Sequence, residues 1–200
     1  VMQVASAEGY VRDPELVINF YNERRKQLLD VEPNAGHTGL AEFEKDFNVT
    51  VVTQNVDNLH ERAGSTHVIH LHGELTKVCS SRDPYNPRYV RELKPEEYEV
   101  KMGDKAGDGS QLRPFIVWFG EAVPEIETAI GYVEKADIFV IIGTSMNVYP
   151  AAGLLNYVPR TAEVYLIDPK PVDTHSMRQI HVIQKGASEG VKELKTEILH

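Results

Sequence analysis

Cysteine, long apolar runs and basic residues are all scarce in this sequence of 200 residues. The single cysteine, Cys79, excludes an intrachain disulfide and favours a reducing, cytoplasmic location. The longest apolar run, 138–142, has the length of a strand, whereas a membrane-spanning helix needs roughly 20 apolar residues. Lysine and arginine number 21 against 30 acidic residues, a net charge of −9 that argues against a broad nucleic-acid surface. We therefore expect a cytoplasmic protein that binds neither nucleic acid nor membrane.

Helical and strand-like segments alternate along the chain. Asp13-Pro14 predicts a helix start, with an N-cap followed by proline at the first helical position, and helical spacing continues to Leu28. The apolar run 137–142 predicts a strand that is buried on both faces of a parallel sheet. Further strands are predicted at 49–53, 68–71, 115–118, 164–167 and 182–183, and further helices at 37–46, 124–135, 150–157 and 188–199. The alternation predicts an α/β fold with a mostly parallel sheet and helices on both faces.

The stretch from Cys79 to Arg113 interrupts this alternation. It is rich in proline, tyrosine, glycine and charge, and it contains several glycines close together after Met102. Such a stretch is typical of a small inserted module or of a long, partly mobile flap. We therefore assign 1–78 and 114–200 to one domain and 79–113 to an inserted module.

Polar side chains follow directly on the predicted strand that ends at Thr53. Gln54, Asn55 and Asp57 lie where the carboxyl end of a parallel strand is expected, which is the edge where such sheets bind ligands. An alternative is an Asx-rich turn in which Asn55 or Asp57 caps the next helix. Spacing alone favours neither interpretation over the other.

Two histidines end the next predicted strand, in His70-Leu71-His72-Gly73. Strand alternation places His70 and His72 on the same face. A histidine at such a position is a base, a metal ligand or, most often, a buried hydrogen-bonded residue. Gly73 permits close approach of a ligand to the backbone.

A third strand end carries the turn Gly143-Thr144-Ser145, whose small hydroxyl residues suit hydrogen bonds to ribose or phosphate. This signal is weak when it is taken alone.

The joint order and spacing of these segments resemble the sirtuin family, and the resemblance covers nearly the whole chain. The segments that carry it are Thr53–His60, Ala63-Gly64, His70–Gly73, Val117–Glu121, Gly143–Ser145 and Val148–Gly153.

The resemblance implies an NAD-dependent protein-lysine deacylase built on a Rossmann-like domain. Enzymes of this family release nicotinamide and free lysine from acyl-lysine proteins or peptides, and they transfer the acyl group to ADP-ribose. The family's catalytic histidine matches His72, and imidazole, with an unperturbed pKa of about 6.5, is a working base at neutral pH. The matching NAD-binding positions are Gln54, Asn55, Asp57, Gly143, Thr144, Ser145, Asp168 and Ala187.

The resemblance also implies how the substrate binds. Val117, Trp118, Phe119, Gly120 and Glu121 match the segment that pairs with the substrate peptide by strand addition, and Phe119 would line the tunnel for the lysine side chain.

Tyr21 and Arg24 match a Tyr-x-x-Arg pair that marks family members accepting succinyl- or malonyl-lysine. At i and i+3 the two side chains reach one helical face, where Arg24 can grip a carboxylate and Tyr21 can add a hydrogen bond. The alternative is a basic helix end at the surface, for which Arg25 and Lys26 serve as well.

The sequence departs from the family in two places. Most members hold a structural zinc with two Cys-x-x-Cys pairs, whereas the insertion has Cys79 alone, so we expect no zinc. The residues expected to pack the module instead are Tyr85, Tyr89, Leu93, Tyr98 and Val100. The family's glycine-rich diphosphate loop, expected ahead of Asp13, is missing, so we expect a piece of a longer protein that binds NAD poorly.

Two other functions remain open at this stage. One is weak ADP-ribosyl transfer, for which His72 is dispensable. The other is a non-catalytic module that binds NAD or ADP-ribose.

Overall fold

The computed structural model describes residues 1–143, 151–174 and 178–200, although not the side chains of residues 151 and 152. Its helices are α1 (Ala7–Arg12), α2 (Pro14–Leu28), α3 (Ala35–Glu42), α4 (Leu59–Arg62), α5 (Ile126–Val133), α6 (Ala151–Leu154) and α7 (Ala187–Ile198). Its strands are β1 (Val51–Thr53), β2 (Val68–His70), β3 (Gly73–Ser80), β4 (Arg91–Glu92), β5 (Leu112–Ile116), β6 (Ile138–Ile142), β7 (Glu163–Ile167) and β8 (His181–Ile183).

The strands form three sheets, and the predicted α/β class is confirmed. β1 pairs with β2, β4-β3-β5 form an antiparallel sheet, and β6-β7-β8 form a parallel sheet. The chain divides into two compact units, one of Val1–Glu32, Thr53–Asn58 and His70–Pro124, and one of Pro33–Val52, Leu59–Ile69 and Glu125–His200. Within the described residues, no helix is both long and apolar enough to span a bilayer.

The first unit joins α1 and α2 to the antiparallel sheet. The predicted start of α2 is confirmed, because the Asp13 side chain accepts a hydrogen bond from the Leu16 N–H. The core of this unit is an apolar cluster that contains residues from α2, from β3 and from the insertion: Ile18, Val78, Leu93, Val100, Ala106 and Leu112. Residues 79–113 thus share their core with α2, and the proposed domain boundaries at 78 and 114 stay a prediction.

The second unit surrounds the parallel sheet. β7 lies between β6 and β8, and its residues Val164–Ile167 are buried. α3 and α7 approach closely because Gly36 and Gly39 leave room, a Cβ at Gly39 lying only 2.7 Å from the Val191 side chain. The shared core of the unit comprises Phe43, Tyr165, Ile167, Ile183, Val191 and Leu194.

The expectation that the run 137–142 is buried on both faces was wrong. All five residues of β6 are only half-buried. Within the described part of the chain, β6 is an edge strand of its sheet and pairs only with β7. The apolar composition of the strand is the same for a central and an outer position, so the sequence does not distinguish them.

The strand predicted at 115–118 begins earlier and ends sooner, as β5 spans Leu112–Ile116. The helix predicted at 37–46 is α3 followed by a 3-10 turn at Phe43–Lys45.

Candidate active site

His72 lies in the short link between β2 and β3, half-buried, with its Nδ1 3.2 Å from the backbone oxygen of Gln54. A carbonyl oxygen only accepts hydrogen bonds, so this contact requires the proton on Nδ1 and leaves the Nε2 lone pair available. The His72 carbonyl in turn accepts from the Val117 N–H at 2.9 Å. The Gln54 carbonyl therefore fixes the imidazole in the tautomer that a general base requires, while the Val117 N–H holds the backbone of His72.

His70 is held in the same way but is enclosed. Its Nδ1 lies 3.0 Å from the backbone oxygen of Asn55, its Nε2 lies 3.9 Å from a Glu74 carboxylate oxygen, and only 7% of the residue is exposed. The two histidines therefore both face residues 54–55, as alternation predicted. Of the two, only His72 has the exposure that a base acting on a bound substrate needs.

Gly73 is required by the protein itself. Its φ is +88°, and a Cβ there would collide with the Phe115 carbonyl oxygen and lie 2.9 Å from the Ile116 Cα. The close approach to the Gly73 backbone, which was expected of a ligand, is made instead by the antiparallel strand β5, in which Ile116 pairs with Gly73.

Residues 53–58 form a hydrogen-bonded loop beside the two histidines. The Thr53 hydroxyl accepts from the Asn55 N–H at 3.0 Å, and the Val56 carbonyl accepts from the Leu75 N–H at 2.7 Å. Asn55 is exposed, whereas Gln54 and Asp57 are half-buried. The structure therefore brings Gln54, Asn55 and His72 together in the first unit.

A second group of predicted residues lies at the carboxyl edge of the parallel sheet. Gly143 follows β6 with a φ of +58° and donates its N–H to the Ile167 carbonyl, and Asp168 follows β7. Ala187 is the first residue of α7, four residues after the end of β8 at Ile183. Thr144 and Ser145 lie outside the described residues.

The predicted substrate segment is a tight turn and not a continued strand. The Glu121 N–H donates to the Trp118 carbonyl, and Gly120 at the third position has a φ of +87°. Phe119 stands at the tip with 62% of its surface exposed, and its N–H donates to the Ala5 carbonyl at 2.9 Å.

A buried cationic group holds this turn. The Arg113 guanidinium lies 3.9 Å from the centre of the Trp118 ring and donates to the Ile116 carbonyl, and it pairs with Glu121 at 3.4 Å. Glu121 also accepts from the Trp118 N–H at 2.8 Å. Glu121, predicted to bind substrate, is thus engaged in fixing the turn that presents Phe119.

Tyr21 and Arg24 differ sharply in exposure. Tyr21 is 6% exposed and its hydroxyl oxygen accepts from the Trp118 indole N–H at 3.2 Å, whereas Arg24 is exposed. Burial raises the pKa of Tyr21, so the phenol stays protonated at neutral pH. The pair offers a neutral O–H donor and an exposed cation on neighbouring turns of α2.

Comparison with known proteins places these residues in a family. The model of the Sir2 family matches residues 1–150. A protein named NAD-dependent protein deacylase from Bacteroides thetaiotaomicron is 84% identical over 195 residues, covering 98% of this chain and 83% of that protein. The chain belongs to the Sir2 family. A Helicobacter pylori protein with the same name is 46% identical over 199 residues, covering all of this chain and 84% of that protein.

Solved Sir2 structures share the fold. A Sir2 homologue in complex with NAD has a TM-score of 0.84 at 34% identity, covering 98% of this chain and 77% of that one. A structure named as Sir2 with a p53 peptide and NAD+ has a TM-score of 0.78 at 28% identity, covering 97% and 82%. The mixed α/β fold with its parallel sheet is therefore that of Sir2 proteins, as the sequence predicted.

Sequence reasoning missed the structural use of the residues beside the Tyr-x-x-Arg pair. Arg25, expected with Lys26 at a basic surface, is buried, and it donates to the carbonyls of Leu75 (2.8 Å) and Tyr98 (2.7 Å). Burial lowers the pKa of Arg25 to about 10. The side-chain amide of Asn22, one turn earlier, donates to the Val100 carbonyl and accepts from the Val100 N–H. Asn22 and Arg25 lie on the same face of α2 as its buried apolar residues, at helical spacing from Ile18 and Leu28. That spacing in the sequence could have indicated that both side chains are buried.

The inserted module of this Sir2 protein has a polar cluster near its single cysteine. Ser80, fully buried, donates to the Asp108 carboxylate at 2.5 Å and accepts from two backbone N–H groups, while Ser110 also donates to Asp108. These bonds lower the pKa of Asp108 to about 2. Cys79 is buried as well, which raises the pKa of its thiol to about 12. Of the five residues expected to pack the module, Leu93 and Val100 are buried, whereas Tyr85, Tyr89 and Tyr98 are half-buried.

Proposed function

We propose that this chain is an NAD-dependent protein-lysine deacylase that accepts succinyl- and malonyl-lysine as well as acetyl-lysine. Membership of the Sir2 family and the names of its relatives support the deacylase activity. The observation that carries the mechanism is the Nδ1 contact of His72 with the Gln54 carbonyl, because it makes Nε2 the basic nitrogen.

His72 acts in this proposal as the general base. Its Nε2 would accept the proton of a ribose hydroxyl of bound NAD, which would free that oxygen to attack the acyl group. The resulting imidazolium is stabilised by the same Gln54 carbonyl, since the Nδ1–H bond strengthens when the ring is charged.

NAD would supply a ribose carbon from which nicotinamide can depart, and we propose a separate group of residues for each half of the cofactor. Gln54, Asn55 and Asp57 would surround the nicotinamide side, offering amide and carboxylate groups next to His72. Gly143 and Asp168, at adjacent strand ends, and the start of α7 at Ala187 would contact the adenosine side, with the Asp168 carboxylate suited to hydroxyl donors. Thr144 and Ser145 are proposed to join them.

The substrate would present its acyl-lysine past Phe119, whose exposed ring offers an apolar contact to the lysine stem. The peptide would pair with those backbone groups of Val117–Glu121 that are not already bonded within the turn or to Ala5 and His72, a mode of binding that depends little on peptide sequence. Arg24 would grip the carboxylate of a succinyl or malonyl group, and Tyr21 would add a neutral hydrogen bond.

We further propose that the inserted module holds its shape without zinc. One thiolate cannot complete a tetrahedral site, and the thiol of Cys79 is kept protonated by burial. Ser80 and Asp108 tie the two ends of the module, residues 80–83 and 108–110, to each other. Arg25 and Asn22 tie its middle to α2.

To test the proposed reaction, nicotinamide released from NAD and free lysine formed in acetyl, succinyl and malonyl peptides are measured at saturating NAD. We expect His72→Ala to lower kcat at least about 100-fold on all three peptides, the loss typical of removing a general base. His181→Ala, an exposed histidine on β8, is the matched control. ADP-ribose appearing on protein at equal rates with and without His72 would instead identify a transferase.

Metal analysis tests the zinc proposal. Purified protein should contain far less than one zinc per chain, and a chelator should leave the unfolding midpoint unchanged. Stoichiometric zinc would overturn this part of the proposal.

A further inference from the structure

We propose that Trp118 is a positioning residue for acyl selectivity, because its indole N–H orients the Tyr21 hydroxyl toward the carboxylate of an acidic acyl group. The inference rests on the proposed preference of Tyr21 and Arg24 for succinyl- and malonyl-lysine. It concerns the side chain of Trp118, whereas strand addition uses only the backbone of that residue.

The direction of the hydrogen bond is fixed by chemistry. An indole nitrogen donates and has no lone pair to accept, so in the 3.2 Å contact the Tyr21 oxygen is the acceptor. The phenolic proton of Tyr21 is not used in this bond and can be donated to another acceptor. Among the groups that a substrate can bring, a carboxylate is the strongest acceptor for this phenolic proton. Succinyl and malonyl groups carry a carboxylate, and an acetyl group does not.

The electrostatic setting favours the same outcome. Burial keeps Tyr21 protonated, while the positive charges of Arg113 and Arg24 act on its hydroxyl. Arg24, exposed and one turn further along α2, brings a full charge to the same helical face. An acyl carboxylate near Arg24 is therefore the acceptor that the Tyr21 proton is directed to meet.

The indole is held rigidly enough to set this direction. Trp118 is 2% exposed, with Tyr10 on one side at 5.3 Å between ring centres and the Arg113 guanidinium 3.9 Å from its ring centre. Its backbone N–H is bonded to Glu121. The Trp118 side chain is buried against two neighbours and its backbone is also bonded, so it has little rotamer freedom to lose when substrate binds. Its indole N–H therefore orients the Tyr21 hydroxyl before substrate arrives.

Trp118 is the single tryptophan of the chain, so tryptophan emission reports the surroundings of this indole alone, and the Tyr21→Phe variant isolates the contribution of this hydrogen bond. The protein is titrated with a succinyl-lysine peptide and an acetyl-lysine peptide of the same sequence, with binding of each followed independently by calorimetry. At equal saturation, the succinyl peptide should shift the Trp118 emission and the acetyl peptide should shift it much less. Tyr21→Phe should remove the difference, and Tyr89→Phe in the inserted module should keep it.

Kinetics give a second readout. Trp118→Phe keeps an aromatic ring and removes the N–H, so the ratio of kcat/KM for succinyl over acetyl peptide should fall about five-fold, the value of one ordinary hydrogen bond. In a Tyr21→Phe background the same change should leave that ratio where Tyr21→Phe alone puts it, since Trp118 acts through the hydroxyl. A purely structural role would lower both activities together and leave the ratio unchanged.

The outcomes separate this inference from the proposed function. Equal emission shifts with both peptides, or a difference that survives Tyr21→Phe, would overturn the role of Trp118. The preference for acidic acyl groups would still stand in that case if Arg24→Met abolishes the preference. Loss of selectivity in neither Tyr21→Phe nor Arg24→Met would overturn the acidic-acyl preference itself. The fluorescence arm needs no substitution at position 118, so it holds even if Trp118→Phe fails to fold.

Discussion

The inserted module and the parallel sheet are stabilised in different ways. In the sheet, β7 has four consecutive buried apolar residues, Val164–Ile167, packed between two neighbouring strands. In the module, a small apolar cluster is joined by polar side chains that reach backbone groups far along the chain, as Arg25 reaches Tyr98 and Asn22 reaches Val100. A region with few apolar residues can thus be fixed by buried polar side chains that are hydrogen-bonded to its backbone, and the loss of such bonds is costly.

The largest stability effect is expected in the sheet. Leu166 is fully buried on the central strand, so Leu166→Ala should lower the free energy of unfolding by about 3 kcal/mol through lost burial and a cavity. Val140→Ala on half-buried β6 is the control and should cost about 1 kcal/mol. Urea unfolding of both variants checks this, and equal losses would mean that β6 is as enclosed as β7.

A polar side chain of α2 that is bonded to the module should come close to this value in its effect on the free energy of unfolding. Arg25→Met keeps the length of the side chain but leaves the carbonyls of Leu75 and Tyr98 without their donor, which should cost about 2 kcal/mol. Arg24→Met, exposed and next in sequence, should change stability by less than about 0.5 kcal/mol. If the two variants unfold at the same urea concentration, polar contacts do not stabilise the module as the comparison requires.

The smallest effect is expected at Asp108 and should depend on pH. The pKa of Asp108 in the folded protein, about 2, lies below the ordinary aspartate value of 3.8. The ionised carboxylate therefore stabilises the fold above about pH 4, and this stabilisation is lost as the pH falls toward 2. Asp108→Asn should therefore have a lower thermal midpoint than the parent at pH 6, and the gap should close by about pH 2. A gap that stays constant with pH would show that the Ser80 and Ser110 bonds do not select the ionised form.

The difference between the two regions also explains what the sequence could predict. Helix α2 begins at Asp13-Pro14 as predicted, because capping is a local signal. His70 and His72 both face residues 54–55, which agrees with the predicted alternation along the strand, another local signal. The buried role of Arg25 was missed since its carbonyl partners lie 50 and 73 positions away, and nothing in a sequence pattern marks a backbone oxygen as an acceptor. The half-buried state of β6 was missed for a similar reason, because strand order is a property of the assembled sheet.

The most direct test of the proposed function replaces Arg24 of α2 and measures the effect on acyl selectivity. The ratio of kcat/KM for succinyl-lysine over acetyl-lysine peptide is measured in the parent, Arg24→Met and Arg24→Lys, with NAD saturating. We expect Arg24→Met to lower the ratio at least about ten-fold, the loss of one charge-assisted interaction, and Arg24→Lys to retain part of it because lysine lacks the bidentate fork. An equal loss of activity on both peptides in Arg24→Met would contradict the carboxylate grip on which the account depends.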